Sequence, residues 1–175
     1  MFTRPQRIEP GPGQESVWDY PRPPRVEASP KHVQVVFNGV VIADTHRARR
    51  VLETAGAPVF YIPPEDIEMS YLSLTGRRTF CEWKGWASYY DVEVNGKRSP
   101  MAAWTYLQPT PGYEGIQGYL AFYAAKMDVC TVNGEQVRPQ PGGFYGGWVT
   151  DEIVGPIKGG AGERGVVKLA FLDIH

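Results

Sequence analysis

Cysteine is scarce in this chain, which has two cysteines, Cys81 and Cys130, among its 175 residues. Two thiols form at most one bridge, which excludes the disulfide framework of small secreted domains. Residues 1–7 lack the apolar run of a secretory signal, and no segment has the roughly 20 apolar residues that cross a bilayer. We therefore expect a cytoplasmic protein that has reduced thiols and no membrane contact.

An excess of charge of one sign is also missing, because the formal net charge is −1. Basic residues are scattered, apart from the short run of Arg47, Arg49 and Arg50. Nucleic-acid-binding domains carry a basic patch or stripe, so we expect no nucleic-acid partner. The hydrophobic fraction of 42 % is enough for one domain with its own core.

Proline is concentrated in residues 1–31, where it fixes φ and removes backbone donors, so we expect an extended arm. The arm also contains Trp18 and Tyr20, whose large apolar surfaces are costly to expose. We expect these two rings to dock either on the domain or on a second copy of the chain, which would make a homodimer. The alternative is a disordered tail, as is common at termini.

Three Asn-Gly pairs predict tight hairpin turns, because both residues of such turns need positive φ. They are Asn38-Gly39, Asn95-Gly96 and Asn133-Gly134. The flanking residues alternate between apolar and polar, as at 33–37 and 86–94. We also expect strands at 58–62, at 78–83 after the break at Thr75-Gly76, and at 118–123, where a helix is the alternative. Glu65 and Asp66 are expected in a helical turn.

One short helix is expected after Asp44 or Thr45, either of which can cap its N-terminus. Its apolar residues follow the helical spacing i, i+3, i+4 and i+7: Ala48, Val51, Leu52, Ala55. Gly56 would end it, and Arg50 would face solvent. With the hairpins, this predicts a mainly β (α+β) fold of antiparallel sheets. The expected parts are the arm (1–31), a core domain (32–138) and a Gly-rich segment (139–175) that ends in a last strand over 166–172.

Several segments together resemble the domain-of-unknown-function 427 family. The matching residues are 35–39, 42–45, 61–66, 81–85, 87–89, 103–106 and 118–123. The resemblance covers about residues 17–160 and implies coiled antiparallel sheets similar to the β-tent architecture. It also brings a loose nucleotidyltransferase label without a proven activity. Its motifs fall on Cys81, Lys84, Gly85, Tyr89 and Trp104, to which the family attaches no proven catalytic role.

Residues 79–90 are the best candidate for a pocket wall, because a thiol, both charges and five large aromatic rings lie within twelve positions. Charged side chains are expensive to bury without partners, so Glu82 and Lys84 among aromatics favour a binding cleft. We predict six ligand-binding residues: Cys81, Glu82, Trp83, Lys84, Tyr89 and Trp104. Lys84 would meet an anionic group, Glu82 a donor, and the rings would stack. The competing interpretation is that most of these rings form the core.

The sequence gives weaker support for a catalytic residue or a metal site. Cys81 as a nucleophile needs a nearby cation or base, and a buried apolar cysteine is the ordinary alternative. Asp91 and Glu93 share a strand face suited to Mg²⁺, but no phosphate-binding loop accompanies them. Two cysteines and three histidines at unrelated spacings do not form a zinc site. We assign no metal, no cofactor and no catalytic residue.

Two functional hypotheses follow. The first is a cytoplasmic domain that binds an unknown small molecule at residues 81–90, whether or not it is also an enzyme. The second is a non-catalytic interaction or oligomerisation module that uses the arm. A Mg²⁺-dependent nucleotidyltransferase is the disfavoured third.

Overall fold

A computed structural model describes residues 6–159 of the protein. Within that range the chain forms five sheets, four of which are antiparallel, and five single-turn 3₁₀ helices. The predicted mainly β class with antiparallel sheets is confirmed. No helix between residues 6 and 159 is long and apolar enough to cross a membrane.

Fifteen strands lie within residues 6–159. They are β1 (Glu15–Ser16), β2 (Arg25–Ser29), β3 (Val33–Phe37), β4 (Val40–Thr45), β5 (Ala48–Leu52), β6 (Val59–Tyr61), β7 (Leu72–Cys81), β8 (Gly85–Val94), β9 (Lys97–Thr105), β10 (Leu120–Phe122), β11 (Val129–Val132), β12 (Glu135–Gln136), β13 (Arg138–Pro139), β14 (Trp148–Val149) and β15 (Ile153–Val154). The 3₁₀ helices are Val17–Asp19, Pro64–Asp66, Met69–Tyr71, Glu114–Ile116 and Ala124–Lys126.

The three Asn-Gly hairpins are confirmed. They join β3 to β4, β8 to β9 and β11 to β12, and each asparagine has φ of +49°. The expected strand at 118–123 is β10, and the helical turn at Glu65 and Asp66 is the 3₁₀ helix Pro64–Asp66. The two larger sheets have the orders β12-β11-β3-β4 and β10-β9-β8-β7. The last strand expected at 166–172 lies outside the residues that the structure describes.

The predicted helix at 44–56 is wrong, because these residues form β4, the central strand β5 and a turn. β5 lies between β2 and β6 and is covered on both faces, so its buried residues do not alternate. Ala48, Val51 and Leu52 each belong to a different core cluster, which produces a helix-like spacing without a helix. Arg50, expected in solvent, is only 8 % exposed.

The strand predicted at 78–83 is longer at one end and shorter at the other. β7 begins at Leu72, before Thr75-Gly76, and ends at Cys81. Thr75-Gly76 lies in a bulge, because the pairing moves from Leu74↔Tyr90 to Arg78↔Ser88. Four steps along β7 therefore match two steps along β8. Extra residues in one strand bend it and redirect its side chains.

The arm docks on its own chain. Trp18 Nε1 donates a hydrogen bond to the Pro156 carbonyl at 2.8 Å, and Tyr20 Oη donates to Glu15 Oε1 at 2.6 Å. Strand β2 pairs with β5 along five residues, so residues 25–29 are an ordered edge strand and not a disordered tail. A homodimer through the arm remains a prediction, although these two rings already have partners within one chain.

Arg50 holds the arm electrostatically. It donates hydrogen bonds at 2.6 Å to both Glu15 Oε1 and Glu27 Oε1. Burial acts to raise the pKa of Glu15, but the hydrogen bonds from Arg50 and Tyr20 outweigh it and hold the pKa below its ordinary value. Because Arg50 is nearly buried, loss of a carboxylate partner would leave its charge poorly compensated, so these pairs tie β1 and β2 to β5.

Candidate ligand-binding cleft

The segment singled out by the sequence is a β-hairpin. β7 and β8 are joined by a turn at residues 82–84, and Gly85 follows with φ of +99°. Few residues other than glycine adopt this conformation. The Lys84 carbonyl accepts a hydrogen bond of 3.0 Å from the Thr110 amide, which ties the turn to the following loop.

Four of the six predicted site residues gather in one aromatic core cluster. Cys81, Tyr89 and Trp104 are buried there, and Trp83 packs against them half-buried. Tyr89 and Trp104 are direct cross-strand partners on β8 and β9, and Trp104 Nε1 donates to Tyr61 Oη at 3.2 Å. Glu82 is exposed at the turn, away from this cluster. Much of the predicted set is therefore core, as the competing interpretation held.

Lys84 is 4 % exposed, and its Nζ lies 5.5 Å from the centre of the Tyr106 ring. It lines a cavity of about 40 Å³, which we call the inner cavity, together with Glu53, Gln140 and Lys158 among others. This volume suits a water molecule and is far below the roughly 300–1,000 Å³ of small-molecule sites. The predicted contact of Lys84 with an anionic ligand remains a prediction.

A larger concavity, which we call the outer cleft, has a volume of about 830 Å³. It lies beside the same hairpin and has the size of an ordinary ligand site. It is lined by Arg77, Arg78, Thr79, Phe80, Trp86, Tyr89, Met101, Tyr123, Ala124, Ala125, Lys126, Pro139, Gln140, Gly143, Phe144, Tyr145, Gly146 and Gly147. Of the six predicted residues, only Tyr89 is in this lining.

One wall of the outer cleft is aromatic and open to solvent. Phe80 and Trp86 are 57 % and 49 % exposed, and their ring centres lie 5.2 Å apart as a cross-strand pair. Two large rings exposed side by side leave apolar surface in water, and a ligand that covers them regains that free energy. This wall is suited to an apolar or planar group.

The floor carries a chain of hydroxyl groups. Thr79 Oγ1 and Tyr89 Oη lie 2.8 Å apart, and Tyr89 is also hydrogen-bonded to Tyr123. Burial raises the pKa of both phenols above the ordinary value. They therefore stay protonated near neutral pH and can donate as well as accept hydrogen bonds.

The opposite wall is a glycine-containing loop at residues 139–147. A Cβ atom on Gly146 would overlap the ring of Trp104, and one on Gly147 would crowd Ala57 and Gln140. Glycine thus lets the loop lie directly on the core. Gln140 fixes the loop from behind, since its side chain accepts from the Ala57 amide at 3.0 Å and donates to the Lys158 carbonyl at 3.1 Å.

The charges in the lining are of one sign: Arg77, Arg78 and Lys126, without an aspartate, glutamate or histidine. The guanidinium of Arg78 lies over the Trp86 ring at 4.7 Å. Lys126 Nζ donates to the carbonyls of Pro100 and Met101 at 3.0 and 3.2 Å. Desolvation lowers the pKa of Lys126.

Asp91 and Glu93, the metal pair weighed above, do not act together. Asp91 Oδ1 accepts from the Met101 amide at 2.8 Å, and Oδ2 forms an ion pair with Arg98. These two partners lower the pKa of Asp91, the arginine most. Within residues 6–159, no three His, Cys, Asp or Glu side chains are placed to hold a metal ion.

A comparison with family models agrees with the resemblance drawn from the motifs. The model described as a domain of unknown function (DUF427) matches residues 25–133. The chain belongs to this family. No curated protein matches it. The matched range contains β2 to β11 and the whole 77–90 side of the outer cleft, whereas the glycine-containing loop follows it.

Sequence reasoning missed most of the outer cleft. The predicted strand began at Arg78, and Arg77 was assigned no element, whereas the structure places both in the lining beside the β7 bulge. Tyr123 was placed in the predicted strand 118–123 without a role in the site, and Lys126 carried no pattern of its own. The paired glycines at 142–143 and 146–147 were visible as a loop, but nothing in the sequence shows which strands it faces.

Proposed function

We propose that this protein is a cytoplasmic small-molecule-binding domain whose ligand occupies the outer cleft. The observation that supports this most is the cleft itself, because about 830 Å³ bounded by aromatic, hydroxyl and cationic groups is what a specific organic ligand needs. The sequence analysis placed the ligand at residues 81–90. The present proposal places it beside Thr79, Phe80 and Trp86, on the outer side of the same hairpin.

The division of the lining supports a ligand with two unlike parts. Phe80 and Trp86 offer ring surface on one side, whereas Thr79, Tyr89 and Tyr123 offer hydroxyls on the floor. Apolar surface supplies most of the affinity in such sites, and a few placed polar groups fix the orientation. We assign no reaction, because this lining holds no histidine, cysteine or carboxylate to act as a base or nucleophile.

The test uses N-phenyl-1-naphthylamine, a neutral probe with two aromatic parts whose fluorescence rises in apolar surroundings. We expect saturable one-to-one binding, which weakens roughly tenfold in Phe80→Ala because the variant removes a stacking wall worth about 1–2 kcal/mol. Leu107→Ala is the matched control, since Leu107 is 45 % exposed but lies outside the lining.

A second variant fills the site. Ala125 is exposed and lines the outer cleft, so Ala125→Trp should block the probe with little change in stability. Ala28→Trp places the same ring on an exposed residue of β2 and should bind normally. Failure of the wild-type protein to bind the probe saturably, or equal binding by Ala125→Trp and wild type, would overturn the proposal.

A further inference from the structure

The cations of the outer cleft come from two separate parts of the chain. Arg77 and Arg78 belong to the β7 bulge, and Lys126 belongs to the 3₁₀ helix Ala124–Lys126. The whole chain has 18 basic and 19 acidic residues, so a lining with three cations and no carboxylate departs from the average surface. A cleft of one sign focuses its field on an ion of the other sign.

Arginines elsewhere in the described chain are mostly neutralised by the protein itself. Arg7, Arg47, Arg50, Arg98 and Arg138 each have a carboxylate within 4.0 Å. By contrast, the part of the chain spanning 6–159 offers no carboxylate within that distance of Arg77, Arg78 or Lys126. Within the described residues, these three cations therefore keep donors for an acceptor that enters the cleft.

The backbone places both arginines at the cleft. In a regular strand, consecutive side chains point to opposite faces, but the two additional residues in the β7 bulge redirect them. The Arg77 amide donates to Thr75 Oγ1 at 3.1 Å, which fixes the bulge locally. The stack of Arg78 on Trp86 orients a planar guanidinium, whose edges remain available to donate.

Lys126 is held in place on the other side. Its ammonium group donates hydrogen bonds to two carbonyls and lies 5.5 Å from the centre of the Tyr123 ring. An ammonium group has three N–H donors, so one is left for a third acceptor. Thr79 and Tyr89 add neutral hydroxyls to the same lining. Guanidinium, ammonium and hydroxyl donors around one hollow are the groups that recognise an oxyanion.

We infer that the ligand of the outer cleft is an organic anion, with a carboxylate or phosphate held by Arg77, Arg78 and Lys126 and a ring-bearing body against Phe80 and Trp86. This inference rests on the proposed function and names its ligand class. A neutral ligand would displace water from these cations without pairing with them, whereas an anion would pair with them.

The test compares two probes that share one scaffold. 1-Anilinonaphthalene-8-sulfonate is N-phenyl-1-naphthylamine with an added sulfonate, so their affinity ratio isolates the anion. We expect the sulfonate to bind about tenfold tighter, the size of one or two charge-assisted hydrogen bonds. The triple variant Arg77→Gln/Arg78→Gln/Lys126→Gln should reduce that ratio to near one, because it weakens binding of the sulfonate much more than binding of the neutral probe.

A matched triple variant controls for net charge. Arg22, Arg25 and Lys97 are each more than half exposed and lie outside the lining, so Arg22→Gln/Arg25→Gln/Lys97→Gln removes the same charge elsewhere. We expect it to keep the full ratio. Displacement of the sulfonate probe by 2-naphthoate or by 2-naphthyl phosphate, with 2-naphthamide as the neutral competitor, then separates carboxylate from phosphate recognition.

The outcomes are distinguishable. If the neutral probe binds in the cleft and the sulfonate binds no better, the anion inference is wrong and the proposed function stands. The inference also fails if both triple variants lower the ratio equally, because the effect is then one of overall charge. If the neutral probe does not bind wild type at all, the proposed function itself fails.

Discussion

Two sets of cations lie on the two sides of one glycine-containing loop, and they differ in their surroundings. Lys84 and Lys158 line the inner cavity of about 40 Å³, are at most 7 % exposed and share it with Glu53, 3.8 Å from Lys158 Nζ. Arg77, Arg78 and Lys126 line the outer cleft of about 830 Å³, which has no carboxylate. Gln140, Tyr145, Gly146 and Gly147 line both spaces.

In both spaces the cations lie near aromatic rings, so ring contacts alone do not separate them. The distances from cation to ring centre are 5.5 Å for Lys84, 5.4 Å for Lys158, 4.7 Å for Arg78 and 5.5 Å for Lys126. The two spaces differ in how far water reaches their cations. A desolvated cation contributes more to folding through its ring than an exposed one, whereas only an accessible cation can bind an incoming anion. We therefore expect the inner cations to affect stability and the outer cations to affect binding.

The largest expected effect is at the wall between the two spaces. A methyl group in Gly146→Ala would overlap Trp104, which is fully buried, so we expect a loss of about 3 kcal/mol in the free energy of unfolding, at the upper end of overpacking costs. Urea unfolding measures it. Gly76→Ala is the control, because Gly76 has open space around its Cβ position and should change stability little. A neutral result at Gly146 would mean that the loop yields and the two spaces are not separate.

The next effect distinguishes a buried cation from an exposed one. Lys84→Ala removes a buried stem and its desolvated contact with Tyr106, and we expect a loss of about 2 kcal/mol. In Lys97→Ala the ammonium, 5.2 Å from the Phe37 ring, is more than half exposed, so about 0.5 kcal/mol is expected.

Both lysine variants should keep the preference of the outer cleft for the sulfonate probe. If Lys84→Ala abolished that preference while stability stayed unchanged, Lys84 would be the anion-binding residue that the sequence analysis predicted, and the contrast between inner and outer cations would be wrong.

The smallest of the three main effects concerns the edge of the outer cleft. Asp91 holds the amide of Met101, a cleft residue with φ of +54°, and pairs with Arg98. Asp91→Asn should cost about 1 kcal/mol at neutral pH, near the value of a hydrogen bond to a charged group at a partly exposed site. Unfolding in urea at several pH values measures this cost.

The same variant has a defined pH dependence. Because the pKa of folded Asp91 lies below its ordinary value of 3.8, the stabilisation is present above that pH and is lost as the pH falls through the folded pKa. The stability difference between wild type and Asp91→Asn should therefore shrink below about pH 4. Glu93→Gln, exposed two residues further along the strand, should follow wild type. A constant difference at all pH values would contradict the assignment.

The fold was predictable wherever a local signal decides it. An Asn-Gly pair needs only its own backbone to form a turn, so all three hairpins were found from the sequence. Trp18 and Tyr20 were predicted to dock because large rings in a proline-rich arm are costly in water, and both have hydrogen-bond partners within the chain. The helix at 44–56 failed for the opposite reason, since burial of β5 on both faces depends on β2 and β6 and not on its own residues.

The candidate site shows the same division. Residues 79–90 could be chosen from composition. The sequence by itself determined that their rings, thiol and lysine lie in one region, because residues close together in one hairpin are also close in space. Only the tertiary structure decided which of them face inward. It buried Lys84 and Trp104, and it brought Arg77, Arg78 and residues of the 139–147 loop into the lining of the outer cleft. Those contacts join residues far apart in the chain, and their energies depend on packing and desolvation that no local pattern contains.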